Sequence, residues 1–178
     1  AGGIRGTEEP WGFNPIARSS AMWALEQLSP VNLAWLRALP DSLVLDDFVA
    51  AHGSPVDRDA YLFTWEDAQP QVPAVAELDR DLCFFGHTHC PGIFSADGMY
   101  AVDADSRFEL GEGKVFLINV GSVGQPRDGD PRAAYAIYDM VRNVVELRRV
   151  EYDIAGAQRK ILAAGLLARA ASRLEIGR

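Results

Sequence analysis

An α/β fold with a substantial second sheet is predicted from three observations. Two short apolar runs, one ending at His52-Gly53 and one at Gly86-His87, each look like a buried strand, and helix-favouring segments precede and separate them. From Gly92 onward the texture changes to short β-favouring runs punctuated by turn residues. An amphipathic segment rich in Ala, Leu and Arg, Asp153 to Leu174, closes the chain. Helices alternating with strands, followed by strands in succession, is the order expected when a partly parallel sheet is joined by an antiparallel one.

The elements follow from local signals. Asn14-Pro15 and Ser29-Pro30 each place a cap residue before a proline at the first helical position, so two helices forming a hairpin are expected, the second stopped by Pro40. Ser42 to Leu45, a tight turn at Asp46-Asp47 and a strand from Phe48 to His52 come next. Ser54 to Gln71 is mixed in polarity, carries Tyr61, Phe63 and Trp65, and reads as an excursion with one helical turn; its aromatics are expected to form a packed cluster, with a lid over a site as the alternative. A short helix over Val72 to Leu78 leads into a second core strand, Leu82 to Gly86. Val115 to Val120 is an apolar strand; Tyr135 to Met140 and Val144 to Val150 form a hairpin; Asp153 to Leu174 is one helix. There is no internal repeat and no low-complexity linker, so residues 1–178 are read as a single domain.

Bulk properties narrow the function. The net charge of −8 argues against a broad nucleic-acid surface, which needs clustered Lys and Arg. It leaves room for a phosphate ester, because bound cations can supply positive charge locally. No apolar run approaches the ~20 residues of a membrane helix, and Ala1 to Arg5 carries no signal-like apolar stretch, so the expected setting is cytoplasmic, with no membrane partner. The two cysteines, Cys83 and Cys90, are expected to stay reduced, as a core thiol and a packed thiol.

The chain has three histidines, and all lie at the ends of the two core strands: His52, and His87 with His89 in Gly86-His87-Thr88-His89. Neutral imidazole is a good ligand for Zn, Mn and Fe. On an extended backbone His87 and His89 would project to the same side; at a strand end turning into a loop they can diverge toward neighbouring metal positions. Gly86 is expected to let the backbone bend and approach closely. His52 lies thirty-five positions before His87, which suits an adjacent strand, and strand C-terminal edges are where open α/β sheets place ligands. Three histidines can hold a single catalytic metal, whereas two metals need carboxylates, and Asp46, Asp47, Asp57, Asp59, Asp79 and Asp81 all read as solvated turn or loop residues.

The set His52-Gly53, Gly86-His87-Thr88-His89 and Asn119-Val120-Gly121-Ser122-Val123-Gly124-Gln125-Pro126-Arg127 resembles the calcineurin-like metallophosphoesterases, closest to their small bacterial group. Phe13-Asn14-Pro15 and Gln27-Leu28-Ser29-Pro30 are similar to the same group. The resemblance implies a four-layer αββα sandwich of two mixed sheets. It implies hydrolysis of phosphodiesters or phosphomonoesters by a metal-bound hydroxide, with two divalent cations (Mn, Fe, Zn or Ni) about 3.5–4 Å apart. On that pattern His52 and His87 bind one metal and His89 the other. Arg127 is a candidate phosphate clamp through its guanidinium, and Asn119 and Ser122 are candidates for substrate binding or for orienting the site.

The family's Asp-x-His, Gly-Asp and Gly-Asn-His-Asp motifs are absent from these 178 residues. The expectation is therefore a C-terminal portion, with roughly 60–75 preceding residues and a first βαβαβ portion lying outside it. The bridging carboxylate and the histidine acting on the leaving group would lie in that missing N-terminal segment or on a partner chain, leaving this chain alone inactive and with exposed strand edges. Two alternatives stand beside this reading: a non-catalytic phosphoesterase-like scaffold module, and a mononuclear three-histidine hydrolase.

Overall fold

The computed structural model describes residues 14–103 and 105–178. Phe13 of the Phe13-Asn14-Pro15 stretch and the opening Ala1 to Arg5 lie outside the described residues. The described residues divide into two compact units, 14–40 with 153–175, and 41–152 with 176–178.

The first unit is helical. In α1 (Pro15–Gln27) the Ala17 amide donates to Asn14 Oδ1 at 3.0 Å, and in α2 (Pro30–Ala38) the Asn32 amide donates to Ser29 Oγ at 3.2 Å. Both cap-plus-proline signals thus start helices where expected. The closing segment differs from the single helix predicted. It is two helices, α5 (Ile154–Ala163) and α6 (Ala168–Ser172). The break is a left-handed Gly165, φ 72°, with the Leu166 amide donating to Ile161 O and the Gly165 amide to Leu162 O. That double bond is the glycine C-cap known as a Schellman motif, and it overrides the amphipathic periodicity that runs on through it.

The second unit holds the sheets. Its six-stranded sheet has the order β1 (Ser42–Val44), β2 (Val49–Ala51), β3 (Leu82–Phe85), β7 (Phe116–Asn119), β4 (Gly92–Ser95), β5 (Gly98–Tyr100). β2, β3 and β7 run parallel in the middle, while β1, β4 and β5 pair antiparallel at the flanks. The second sheet is antiparallel, in the order β6 (Arg107–Glu109), β9 (Val144–Val150), β8 (Ala133–Asp139), and includes the predicted hairpin. The excursion contributes α3 (Trp65–Ala68), capped reciprocally by Thr64 and Asp67, and leads into α4 (Val72–Glu77).

Alternation along the central strands explains their wholly apolar runs. Leu82, Phe116, Ile118 and Ile93 face Val145 and Leu147 of the second sheet. Cys83, Phe85, Leu117 and Phe94 face the opposite way, onto Leu62, Ala68 and Val75 of the excursion and α4. A parallel strand covered on both sides cannot alternate apolar with polar residues. The α/β sandwich of two sheets expected from the sequence is present, but only the six-stranded sheet is mixed; the second, expected to be mixed as well, is antiparallel throughout among the described residues, its hairpin and β6 pairing as antiparallel neighbours. At the sheet's β1 edge, Leu43 and Val44 are exposed.

Candidate metal centre

The three parallel strands β2, β3 and β7 carry the conspicuous residues to one edge of the sheet. His52 follows β2, Gly86 to His89 follows β3, and Gly121 to Arg127 follows β7. The ladders continue past the strand ends: the Gly86 amide donates to His52 O at 2.9 Å and the Val120 amide to Phe85 O at 3.1 Å. The motifs separated by tens of residues are therefore neighbours in register, at the edge where such sheets bind ligands.

The backbone of the Gly-His-Thr-His segment is left-handed at both histidines, with φ of 63° at His87 and 62° at His89. Each such non-glycine position costs on the order of 1 kcal/mol and persists only when its surroundings hold it. Thr88 between them is buried, and its amide donates back to Gly86 O at 2.7 Å. The imidazoles consequently diverge. His87 Nδ1 lies 2.8 Å from His52 Nε2, whereas His89 Nδ1 hydrogen-bonds the Gln125 carbonyl at 2.7 Å. Gly86, expected to be the bending point, needs no glycine-specific conformation. A Cβ there would meet only His52 O at 3.9 Å, so the turn is made by the histidines themselves.

Asn119 holds this loop. It is fully buried at the end of β7; its Nδ2 donates to Gly86 O and Thr88 Oγ1, each at 2.8 Å, and its Oδ1 accepts from the Gly121 amide at 2.9 Å. With both amide hydrogens and the carbonyl engaged in the interior, Asn119 orients the segment. Ser122 acts on the neighbouring loop, where its Oγ accepts from the Gln125 amide at 2.9 Å. Gly121 is required between them: φ is 79°, and a Cβ would stand 2.6 Å from Ala134 Cβ and 2.8 Å from Pro91 Cγ. Arg127 completes the edge. Its amide donates to His89 O at 3.1 Å, and its guanidinium is tethered by Gln125 Oε1.

The electrostatics suit metal ligation. His52 keeps an exposed face, yet partial desolvation of its ring, and then the neighbouring His87, hold it down at about 4. Burial also lowers His87, with the Arg127 cation adding to the effect and Asp59 opposing it. Both imidazoles are thus neutral near pH 7, the form that ligates. Two ring nitrogens converge with one proton between them, a position a cation can take over from that proton. His89, with Nδ1 fixed on a backbone carbonyl, has the oriented geometry of a metal-ligating histidine that would bind through Nε2. The set is partial: among the described residues no three His, Cys, Asp or Glu side chains converge. Asp57 and Asp59 remain exposed, with Asp57 Oδ1 accepting from the Asp59 amide at 2.9 Å.

Comparison with known proteins bears on the family. The calcineurin-like phosphoesterase superfamily domain matches residues 34–143, more than half of the chain. The chain belongs to the calcineurin-like phosphoesterase superfamily. An uncharacterized protein of Methanocaldococcus jannaschii is 32% identical over 99% of this chain and 72% of its own length. The crystal structure of a metallophosphoesterase from Sphaerobacter thermophilus superposes with a TM-score of 0.84 at 35% identity, covering 93% of this chain and 71% of that one. A hypothetical protein from Pyrococcus horikoshii shares the fold, with a TM-score of 0.75 at 19% identity over 98% of this chain and 69% of that one. As a calcineurin-like phosphoesterase the chain falls in a family associated with phosphoester hydrolysis and divalent cations. No helix among the described residues is long and apolar enough to cross a membrane.

Two features of the phosphoesterase edge were not readable in the sequence. Tyr61, taken there as part of a packed cluster, lies with its ring 4.1 Å from that of His87. Asp59 reaches His87 through a backbone hydrogen bond. No sequence pattern marks either contact, because the excursion has no periodicity. Elsewhere, a cavity of about 210 Å³ is lined by Pro91, Val102, Asp103, Asp105, Asp128 and Arg149 among others, and by none of the histidines. Its most buried cation, Arg149, is already paired with Asp128 and Asp130.

Proposed function

We propose that this chain carries part of the centre of a dinuclear phosphoesterase hydrolysing phosphomonoesters or phosphodiesters, with His52 and His87 binding one cation and His89 the other. The observation that carries the reading is the 2.8 Å approach of the His52 and His87 ring nitrogens across adjacent parallel strands. Divalent cations of the Mn, Fe, Zn or Ni class, when bound, supply Lewis acidity and a nucleophile at neutral pH.

The chain's own residues then have separable tasks. Neutral His52 and His87 supply both facing nitrogens as ligands once the proton between them shifts to the far nitrogen of its ring. Asn119 and the Gln125 carbonyl fix where the His87 and His89 rings point. Arg127, held against Gln125 and close enough to depress His87, presents a planar cation to a phosphoryl oxygen. No carboxylate is brought to the pair among the described residues. The bridging carboxylate and the group that protonates the leaving oxygen are therefore proposed to come from protein outside these 178 residues, in the same polypeptide or a partner chain. Cytoplasmic action on a small phosphate ester accords with the acidic surface and is part of the same proposal.

Elemental analysis and Mn-dependent hydrolysis, measured on the 178 residues and on the full-length protein, test this. Two cations and turnover in the full-length protein, with weak binding and no turnover in the shorter chain, are expected. Full turnover by the 178 residues would sink the shared-ligand reading. One cation per full-length chain would favour the mononuclear site, and none the scaffold.

A further inference from the structure

The excursion between β2 and α3 presents two aromatic rings to solvent beside the histidine pair. Tyr61 and Phe63 are each about half exposed, at 52% and 51%, while Leu62 between them is buried in the core. The alternation follows from an extended backbone, which sends every second side chain to the same side. The two outward rings are stacked, 12° from coplanar with centroids 5.8 Å apart, and Tyr61 in turn leans on His87. Trp65 is different: its Nε1 donates to Ser95 O at 3.0 Å, so it belongs to the packing.

The mount beneath these rings is rigid. Gly53 lets the backbone of Arg58 and Ala60 come so close that a Cβ would stand 2.6 Å from Arg58 O and 2.8 Å from Ala60 N. Ser54 Oγ and Asp57 O close the turn, and Asp67 Oδ2 accepts from the amides of Phe63 and Thr64, each at 3.0 Å. Two exposed aromatic rings held at both ends and aligned beside candidate ligands are pre-organised for a flat partner. Base-on-aromatic stacking is sequence-tolerant because every base presents a π-face.

We propose that Tyr61 and Phe63 form a stacking subsite for a planar aromatic group of the phosphate ester, with a nucleobase as the fitting chemistry, so that the substrate class is nucleotide-like. This rests on the phosphoesterase reading above. The ring stack holds the base while Arg127 and the cations hold the phosphate.

Calorimetric binding of adenosine 5′-monophosphate and of ribose 5-phosphate to the full-length, Mn-loaded protein separates the two ideas. The expected result is about 10-fold tighter binding of the nucleotide. That ratio should fall toward one in Phe63→Leu with the ribose 5-phosphate affinity unchanged, fall likewise in Tyr61→Leu, and be kept in Tyr61→Phe. Ribose 5-phosphate binding as well as the nucleotide, or a ratio that survives both leucine variants, overturns the subsite and leaves the phosphoesterase reading standing. Binding of neither ligand, nor of inorganic phosphate, overturns both.

Discussion

Two polar regions of the sheet unit solve opposite problems. Around Arg149, charge is matched to charge: its guanidinium meets Asp128 and Asp130 and donates to Arg132 O, while Asp130 also receives Arg132. Around His87, two imidazoles face each other 2.8 Å apart, burial lowering both and His87 further lowering His52, on a backbone left-handed at His87 and His89. A satisfied network needs no further ligand and reads as structural. A hydrogen-bonded pair of neutral imidazoles at a strand edge can exchange the proton between them for a cation, and backbone strain like that at His87 collects at functional sites.

The sharpest way to break the comparison is to remove one member of each region. His87→Ala should abolish tight binding of one cation and reduce activity of the full-length protein by more than the ~10–100-fold that losing an outer partner of a ligand costs. Its melting temperature should fall only modestly, since alanine keeps the same left-handed φ and the side chain lost is only partly buried. Arg149→Leu should do the reverse. Asp130 keeps Arg132, so only Asp128 is left without its cation, at a cost of about 1–2 kcal/mol, less than the ~3–5 kcal/mol of a fully buried pair because Asp128 keeps contact with water. Cation content, read by elemental analysis, should be unchanged. Denaturation midpoints and metal stoichiometry measured on both variants decide it; loss of metal in Arg149→Leu would show that the two regions are coupled.

Asn119→Ala tests the join between fold and site. It would leave the Gly121 amide without its acceptor and take one hydrogen bond each from the Gly86 carbonyl, which keeps the Thr88 amide, and the Thr88 hydroxyl, which keeps the Cys90 amide, a loss of about 1–3 kcal/mol. Because Asn119 holds the loop that carries both histidines, cation affinity should fall as well, by about 10-fold or more. Urea denaturation together with a Mn titration checks both; a stability loss with unaltered affinity would make Asn119 purely structural.

How much of this was legible follows from the same contrast. Wherever burial set the pattern, the sequence was sufficient: Leu82 to Phe85 and Phe116 to Asn119 are covered on both faces, so they read as continuous apolar runs and were located nearly to the residue. The glycine break at Gly165 was also written in the chain, yet the helical periodicity on either side masked it. The left-handed turn at His87 and His89 was not legible. It is imposed by long-range partners, the His52 carbonyl below Gly86 and the Asn119 amide above Thr88, and local propensity would have assigned the bend to Gly86. The placing of Tyr61 against His87 depends on Gly53 admitting two backbone segments at close range, information that becomes visible only in three dimensions.

Acid titration of the metal-free protein offers the smallest effect and the finest distinction. His52 is held at about 4, below its ordinary 6.5, chiefly by burial. A group depressed on folding contributes stability that is present above its unfolded value, so this contribution is intact above 6.5 and is lost as the pH falls toward 4. Asp130 is held at about 2, below its ordinary 3.8, chiefly by its hydrogen bonds to the Arg132 guanidinium. The sign is the same and the window is lower: its contribution is intact above 3.8 and disappears only as the pH falls through 2. The two regions should therefore separate on one axis. Replacing His52 by Gln should flatten the stability profile between pH 6.5 and 4. Asp130→Asn should leave that limb intact and flatten the one between 3.8 and 2. Urea midpoints collected at half-unit intervals would show it, and a single merged transition unmoved by either substitution would mean that neither region governs the acid limit of the fold.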